Sequence, residues 1–140
     1  MIVTREDVRL KLVARVQALK ATWSAYPLEI EYDNLAAVNL SVQTNPYLCV
    51  RMVYMDGYQT TLSANPGNRV LGTIVLEVKV KQGSGTAKAN ALLEHFYRSV
   101  HMTDSMDPLR TYAARFGSSP PKDGWVAQAA LIPFWYDSIP

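Results

Sequence analysis

Gly83-Ser84-Gly85-Thr86-Ala87-Lys88 is the segment whose residue types and spacing come nearest to ligand chemistry. Two glycines and a threonine ahead of a helical pattern would leave free helix amides where an anion can sit, and Lys88 would add a positive charge. The chemistry implied is nucleotide or phosphate binding, in an enzyme domain that uses Gly83 through Lys88. The spacing completes neither known pattern. A phosphate loop needs four residues between its first Gly and a Gly-Lys-Ser/Thr, and the dinucleotide fingerprint needs a third Gly or Ala where this chain has Lys88. A Gly-Ser-Gly link capping a helix accounts for the same residues. His95 and His101, six apart, fall on different sides of a helix, and no second Cys or paired His completes a metal set. Cys49 lies in the apolar run Leu48-Cys49-Val50 and reads as a small core residue rather than a thiolate. No Ser has the Gly-x-Ser-x-Gly context of a nucleophile, and Asp104 and Asp107 flank a turn. No catalytic set emerges, so the expectation is a protein without enzymatic activity, cofactor or metal.

The chain that must position these residues has 140 residues, 49% of them hydrophobic and 19% charged, which suits one folded domain with a real core. Its net charge of +2 is too small to name a nucleic-acid or membrane partner. A single cysteine excludes an internal disulfide and fits a reducing compartment. Charges arrive within the first few residues, and no apolar run is long enough to span a bilayer. Neither a leader nor a membrane span is therefore expected.

Thr4 and Asp7 have the spacing of a helix cap, and Val8, Leu12, Val16, Leu19 and Trp23 then share one helical side up to Pro27. Arg5, Arg9, Lys11, Arg15 and Lys20 describe its solvated face. Residues 28–32 alternate as a short strand, with residues 37–42 a possible extension, and residues 47–55 read as a central strand ended by a hairpin at Asp56-Gly57. Residues 59–63 should return beside it before a turn at Asn65-Pro66-Gly67-Asn68. In the next strand Val70, Gly72, Ile74, Leu76, Val78 and Val80 share a core face, while the other face runs from Leu71, Thr73 and Val75 to Glu77, Lys79 and Lys81. Ala89, Leu92, Leu93, Phe96, Tyr97 and Val100 mark a second amphipathic helix of about four turns. A strand over 109–116, a flexible turn region over 117–124 and a last strand over 125–132 complete the chain. The order predicts an α+β single domain: a mostly antiparallel or mixed sheet with two main helices packed on one face.

Two connections, residues 33–46 and 59–69, exceed the usual four to six residues and are the candidate functional loops. Asn34, Asn45, Asn65, Gly67, Asn68 and Arg69 are their candidate contact residues.

The order of segments is itself informative. The N-terminal helix, Leu28-Glu29-Ile30-Glu31-Tyr32-Asp33-Asn34, Tyr47-Leu48-Cys49-Val50-Arg51-Met52-Val53, and Asn68-Arg69-Val70-Leu71-Gly72-Thr73-Ile74-Val75-Leu76-Glu77-Val78 are followed by the link Lys81-Gln82-Gly83-Ser84-Gly85-Thr86, a helix, and a closing segment from Gly124-Trp125-Val126 to Ile132-Pro133-Phe134. This series resembles the tail terminator proteins of long-tailed bacteriophages and prophages, over nearly the whole chain. The resemblance implies a structural protein that forms a hexameric ring on the tail tube, stops tube polymerisation and joins tail to head. Its partners would be the tail-tube protein, the head-completion protein and further copies of itself. It implies no membrane and no sequence-specific nucleic acid, although phage DNA would pass through the ring. It places the protein in the bacterial cytoplasm during assembly and then in the virion, at the tail–head junction. Another neck or minor-tail protein is the neighbouring alternative.

Overall fold

The computed structural model describes residues 2–33, 38, 42–59 and 68–138, without the side chains of residues 56–59. Along the chain lie α1 (Arg5–Ala21), β1 (Ile30–Tyr32), β2 (Tyr47–Gln59), β3 (Asn68–Lys81), α2 (Ala87–Tyr97), β4 (Arg110–Thr111), β5 (Arg115–Lys122) and β6 (Trp125–Asp137). The strands form one mixed sheet ordered β1-β2-β3-β6-β4, and β5 also pairs with β6. Only the β1–β2 pairing is parallel. The fold is α+β, as the element order predicts.

Local chemistry sets the helices. Thr4 Oγ1 accepts from the Asp7 amide at 3.1 Å while the Asp7 carboxylate accepts from the Thr4 amide at 2.8 Å, so each satisfies a donor the first turn would leave free. Replacing Thr4 with Ala should lower stability by about 1 kcal/mol in urea unfolding, with Ser restoring most of it. α1 stops at Ala21, six residues ahead of Pro27, because the Thr22 amide and hydroxyl both turn back to the Leu19 carbonyl. In α2 the buried stripe is Ala89, Leu92, Leu93 and Phe96; the helix ends at Tyr97, short of four turns, with Val100 buried in the turn beyond it.

The even-numbered positions of the central strands build the core. Leu48 and Val50 of β2, Ile74, Leu76 and Val78 of β3, and Ala130, Ile132 and Phe134 of β6 form one cluster with Val8, Leu12 and Val16 of α1 and the α2 stripe. Both helices therefore cover the same face of the sheet. On the other face a small cluster of Tyr47, Cys49 and Trp125, with Val38 against it, is the main buried feature.

The strand boundaries depart from the sequence expectations in three places. Asp56-Gly57 does not end β2: the register slips between Met55 and Tyr58, and pairing resumes from Tyr58 opposite Arg69 to Gln59 opposite Asn68, so the dipeptide is a bulge within a longer strand. The span 109–116 is not one strand but the short β4, a break, and the start of β5. Most of 117–124 is strand rather than flexible turn, with the reversal confined to Asp123-Gly124, where both residues take positive φ. Pro120 and Pro121 are tolerated because they sit in the register break between Ser119 and Lys122 of an exposed strand, where neither is paired to β6. Residues 60–63, the turn residues 65–67 and most of the possible extension over 37–42 lie outside the described residues. No helix among the described residues is long and apolar enough to cross a membrane.

Candidate functional site

Asn34, Asn65 and Gly67 lie outside the described residues. The structure separates the remaining candidates. Asn45, half-buried, precedes Tyr47 at the end of β2 that pairs with Lys79, and its carbonyl accepts from the Gln43 side-chain Nε2 at 2.9 Å. Asn68 and Arg69 open β3 at the opposite end, facing Gln59 and Tyr58. Twelve residue steps of extended chain put the two ends roughly 40 Å apart. The described candidates thus stand at opposite poles of the β2–β3 pair, Asn45 at one and Asn68 and Arg69 at the other.

Arg69 acts within the fold. Its guanidinium makes a two-pronged bond to the Asp137 carboxylate, at 2.8 and 3.0 Å, and lies 4.0 Å over the Trp135 ring. Asp137 is its direct partner across the β3–β6 ladder, so Arg69 clamps the end of β6 to the start of β3. Beside it, the Asn68 carbonyl and amide are bonded to Ser138, and the Val3 amide donates to the Ser138 carbonyl at 2.7 Å, which ties the chain's start into the same pole.

The segment that suggested anion binding is an exposed reverse turn. Gly83 and Gly85 adopt φ of +89° and +82°, the Ser84 amide bonds the Lys81 carbonyl, and the Gln82 amide donates to Gly124 in the β5–β6 turn. Thr86 occupies the cap position of α2 without a side-chain bond to the helix, so the capping explanation of these residues is not what the side chain does. A hollow beside the link is lined by Val80, Lys81, Gly83, Gly85, Thr86, Val126 and Gln128; Lys88 is not among its walls.

Each remaining candidate for chemistry has a packing role. His95 Nε2 sits 2.8 Å from the Leu19 carbonyl and 3.0 Å from the Thr22 hydroxyl, which assigns it the proton and makes it a clip between α2 and the end of α1. His101 Nδ1 accepts from the Ala114 amide. Asp104 and Asp107 both approach Arg110, at 3.5 and 3.8 Å. Among the described residues no three His, Cys, Asp or Glu side chains converge on a common point.

Cys49 is buried, and that burial, reinforced by the Glu31 carboxylate, pushes its thiol from 9.0 up to about 12. Burial likewise pushes the Tyr26 hydroxyl from 10.0 up to about 12. In the unfolded chain these groups ionise at their ordinary values, so above pH 9 the unfolded state binds fewer protons than the folded one. Stability should therefore fall as pH rises from about 9 toward 12, and Cys49→Ala should remove the first part of that fall. Urea midpoints measured at pH 7, 9 and 10.5 check this, and an unchanged wild-type midpoint would contradict it.

No protein-family model matches the chain, and no curated protein is significantly similar to it in sequence. Solved structures do match. One, from a protein without a functional name, aligns with a TM-score of 0.69 over 95% of each chain at 11% identity, a likeness that shows the fold alone.

Proposed function

We propose that the protein is a structural assembly protein of the tail terminator kind, capping the tail tube of a long-tailed phage or prophage and presenting a second surface to the head-completion protein. The observation that carries this reading is the placement of Asn45 and Asn68 at opposite poles of the β2–β3 pair. A cap that must grip a tube on one side and a head on the other needs two separated contact regions on a stiff support, and a long two-stranded ladder supplies that stiffness. The segments that carry the resemblance add support: they lie in α1, in three adjacent strands β1-β2-β3, in the link to α2, and in β6 beside β3.

A ring that closed before the tube was finished would cap nothing, so assembly is conditional on the tube end. Six weak head-to-tail contacts reinforce one another once a template imposes the symmetry. Light scattering of the free chain at micromolar concentration should give a mass near 15.6 kDa. A stable hexamer of about 94 kDa would overturn the conditional part. The function itself is tested by adding the chain to polymerising tail-tube protein from the same genome: growth should stop with one ring per tube end. Tubes that keep lengthening with no chain bound would reject the reading.

A further inference from the structure

We propose that the helix-free face of the sheet is a docking site for an amphipathic helix of a partner protein whose apolar stripe is bordered by carboxylates. Odd-numbered positions of β2, β3 and β6 point to this face, and some of the apolar ones are exposed. Val53 is 50% exposed, Met55 62% and Leu131 37%. Patches of this kind on an otherwise well-packed chain mark interaction surfaces.

The charges around the patch choose the occupant. One row across the sheet reads Arg51, Val75, Leu131, Arg115 on β2, β3, β6 and β5. An arginine thus stands on each side of an apolar pair, of which Leu131 is exposed and Val75 is buried, and Val53 and Met55 extend the exposed apolar surface along β2. Three strand spacings separate them, about 14 Å, and a helix with its side chains is about 10 Å across. One helix laid along β3 and β6 would fit between the strands that carry the two arginines. The carboxylates on this face are already engaged: Glu77 by Arg51 and Lys79, Asp137 by Arg69, and Glu31 by the Val38 amide. Arg115 has no carboxylate partner among the described residues, and Arg51 reaches Glu77 only at 3.8 Å. A partner's carboxylates would complete both, and a second copy presenting the same face would set arginine against arginine. A bilayer fits poorly, because the apolar groups lie in the flat middle of the sheet between longer flanking side chains rather than on a protruding tip.

The probe is a pair of 18-residue helical peptides with the same leucine stripe, one bordered by Glu and one by Lys, titrated into the full chain while its methyl resonances are followed. The Glu-bordered peptide should shift the Val53 and Leu131 methyls saturably and bind at least tenfold tighter than the Lys-bordered one. Arg115→Glu, on an exposed strand, should narrow that preference at least fivefold. Equal affinity for the two peptides, shifts confined to other residues, or no binding would overturn the proposal. So would the same methyls responding to phosphatidylserine vesicles in place of the peptide, or to self-association. Nothing in the test involves a tail tube, so its failure and that of the tail terminator reading are separable.

Discussion

Leu76→Ala and Phe96→Ala should each destabilise the fold by about 2–5 kcal/mol, the cost of lost burial plus the cavity left behind. Both side chains are fully buried in the cluster that joins the sheet to α1 and α2. Leu76 stands at the middle of the sheet, between Val50 on β2 and Ala130 on β6, so its neighbours are held by ladders on both sides and cannot collapse into the space. Phe96 closes the α2 stripe and meets His95 edge-on with ring centroids 5.3 Å apart. Val53→Ala, on the uncovered face, should cost under about 1 kcal/mol. Urea unfolding of the three variants checks the assignment of faces. Losses under about 1 kcal/mol at both core sites would show that the helices do not cover this side.

Gly72→Ala should be nearly as damaging, at about 2–3 kcal/mol, by overpacking rather than by a cavity. Gly72 lies inside β3 between Tyr54 and Phe134, and a Cβ there would meet the Phe134 ring at 2.5 Å and the Val53 carbonyl oxygen closer still. The carbonyl belongs to the neighbouring strand and cannot swing aside. The ring is held by an edge contact from Tyr54 at 5.6 Å and by Tyr136 stacked at 6.4 Å, so its displacement disturbs a chain of aromatics. Gly117→Ala in β5, where a Cβ would meet nothing within 4 Å, is the control and should change stability by under about 0.5 kcal/mol. Equal effects at the two glycines would contradict the packing described.

What was legible in the sequence was what depends on near neighbours. The Thr4–Asp7 box, the α2 stripe and the core face from Ile74 to Val80 follow from spacing, and the structure has each of them. What was not legible depends on a second strand. Asp56-Gly57 has the composition of a hairpin turn, yet whether such a pair turns or bulges is decided by the strand opposite, here β3. The same dipeptide at Asp123-Gly124 does make the turn, because β5 returns along β6 directly. Pro120-Pro121 read as a loop since proline cannot donate to a ladder, but they fall in the register break between Ser119 and Lys122, where neither is paired to β6. Arg69 stood out as a loop cation, and its partner Asp137 lies 68 residues away, beyond any local pattern. The alternation of Leu71, Thr73 and Val75 marks the second face of β3 as apolar at one end, while the absence of any described helix over it is a tertiary fact.

The proposed tail-capping role can be tested by electron microscopy of tail length in particles produced from the genome that carries this gene, with the gene intact or deleted. Capping requires tubes of one length with the gene, and overlong, headless tubes without it, corrected by supplying the chain in trans. Tubes of normal length joined to heads in the deletion would contradict it.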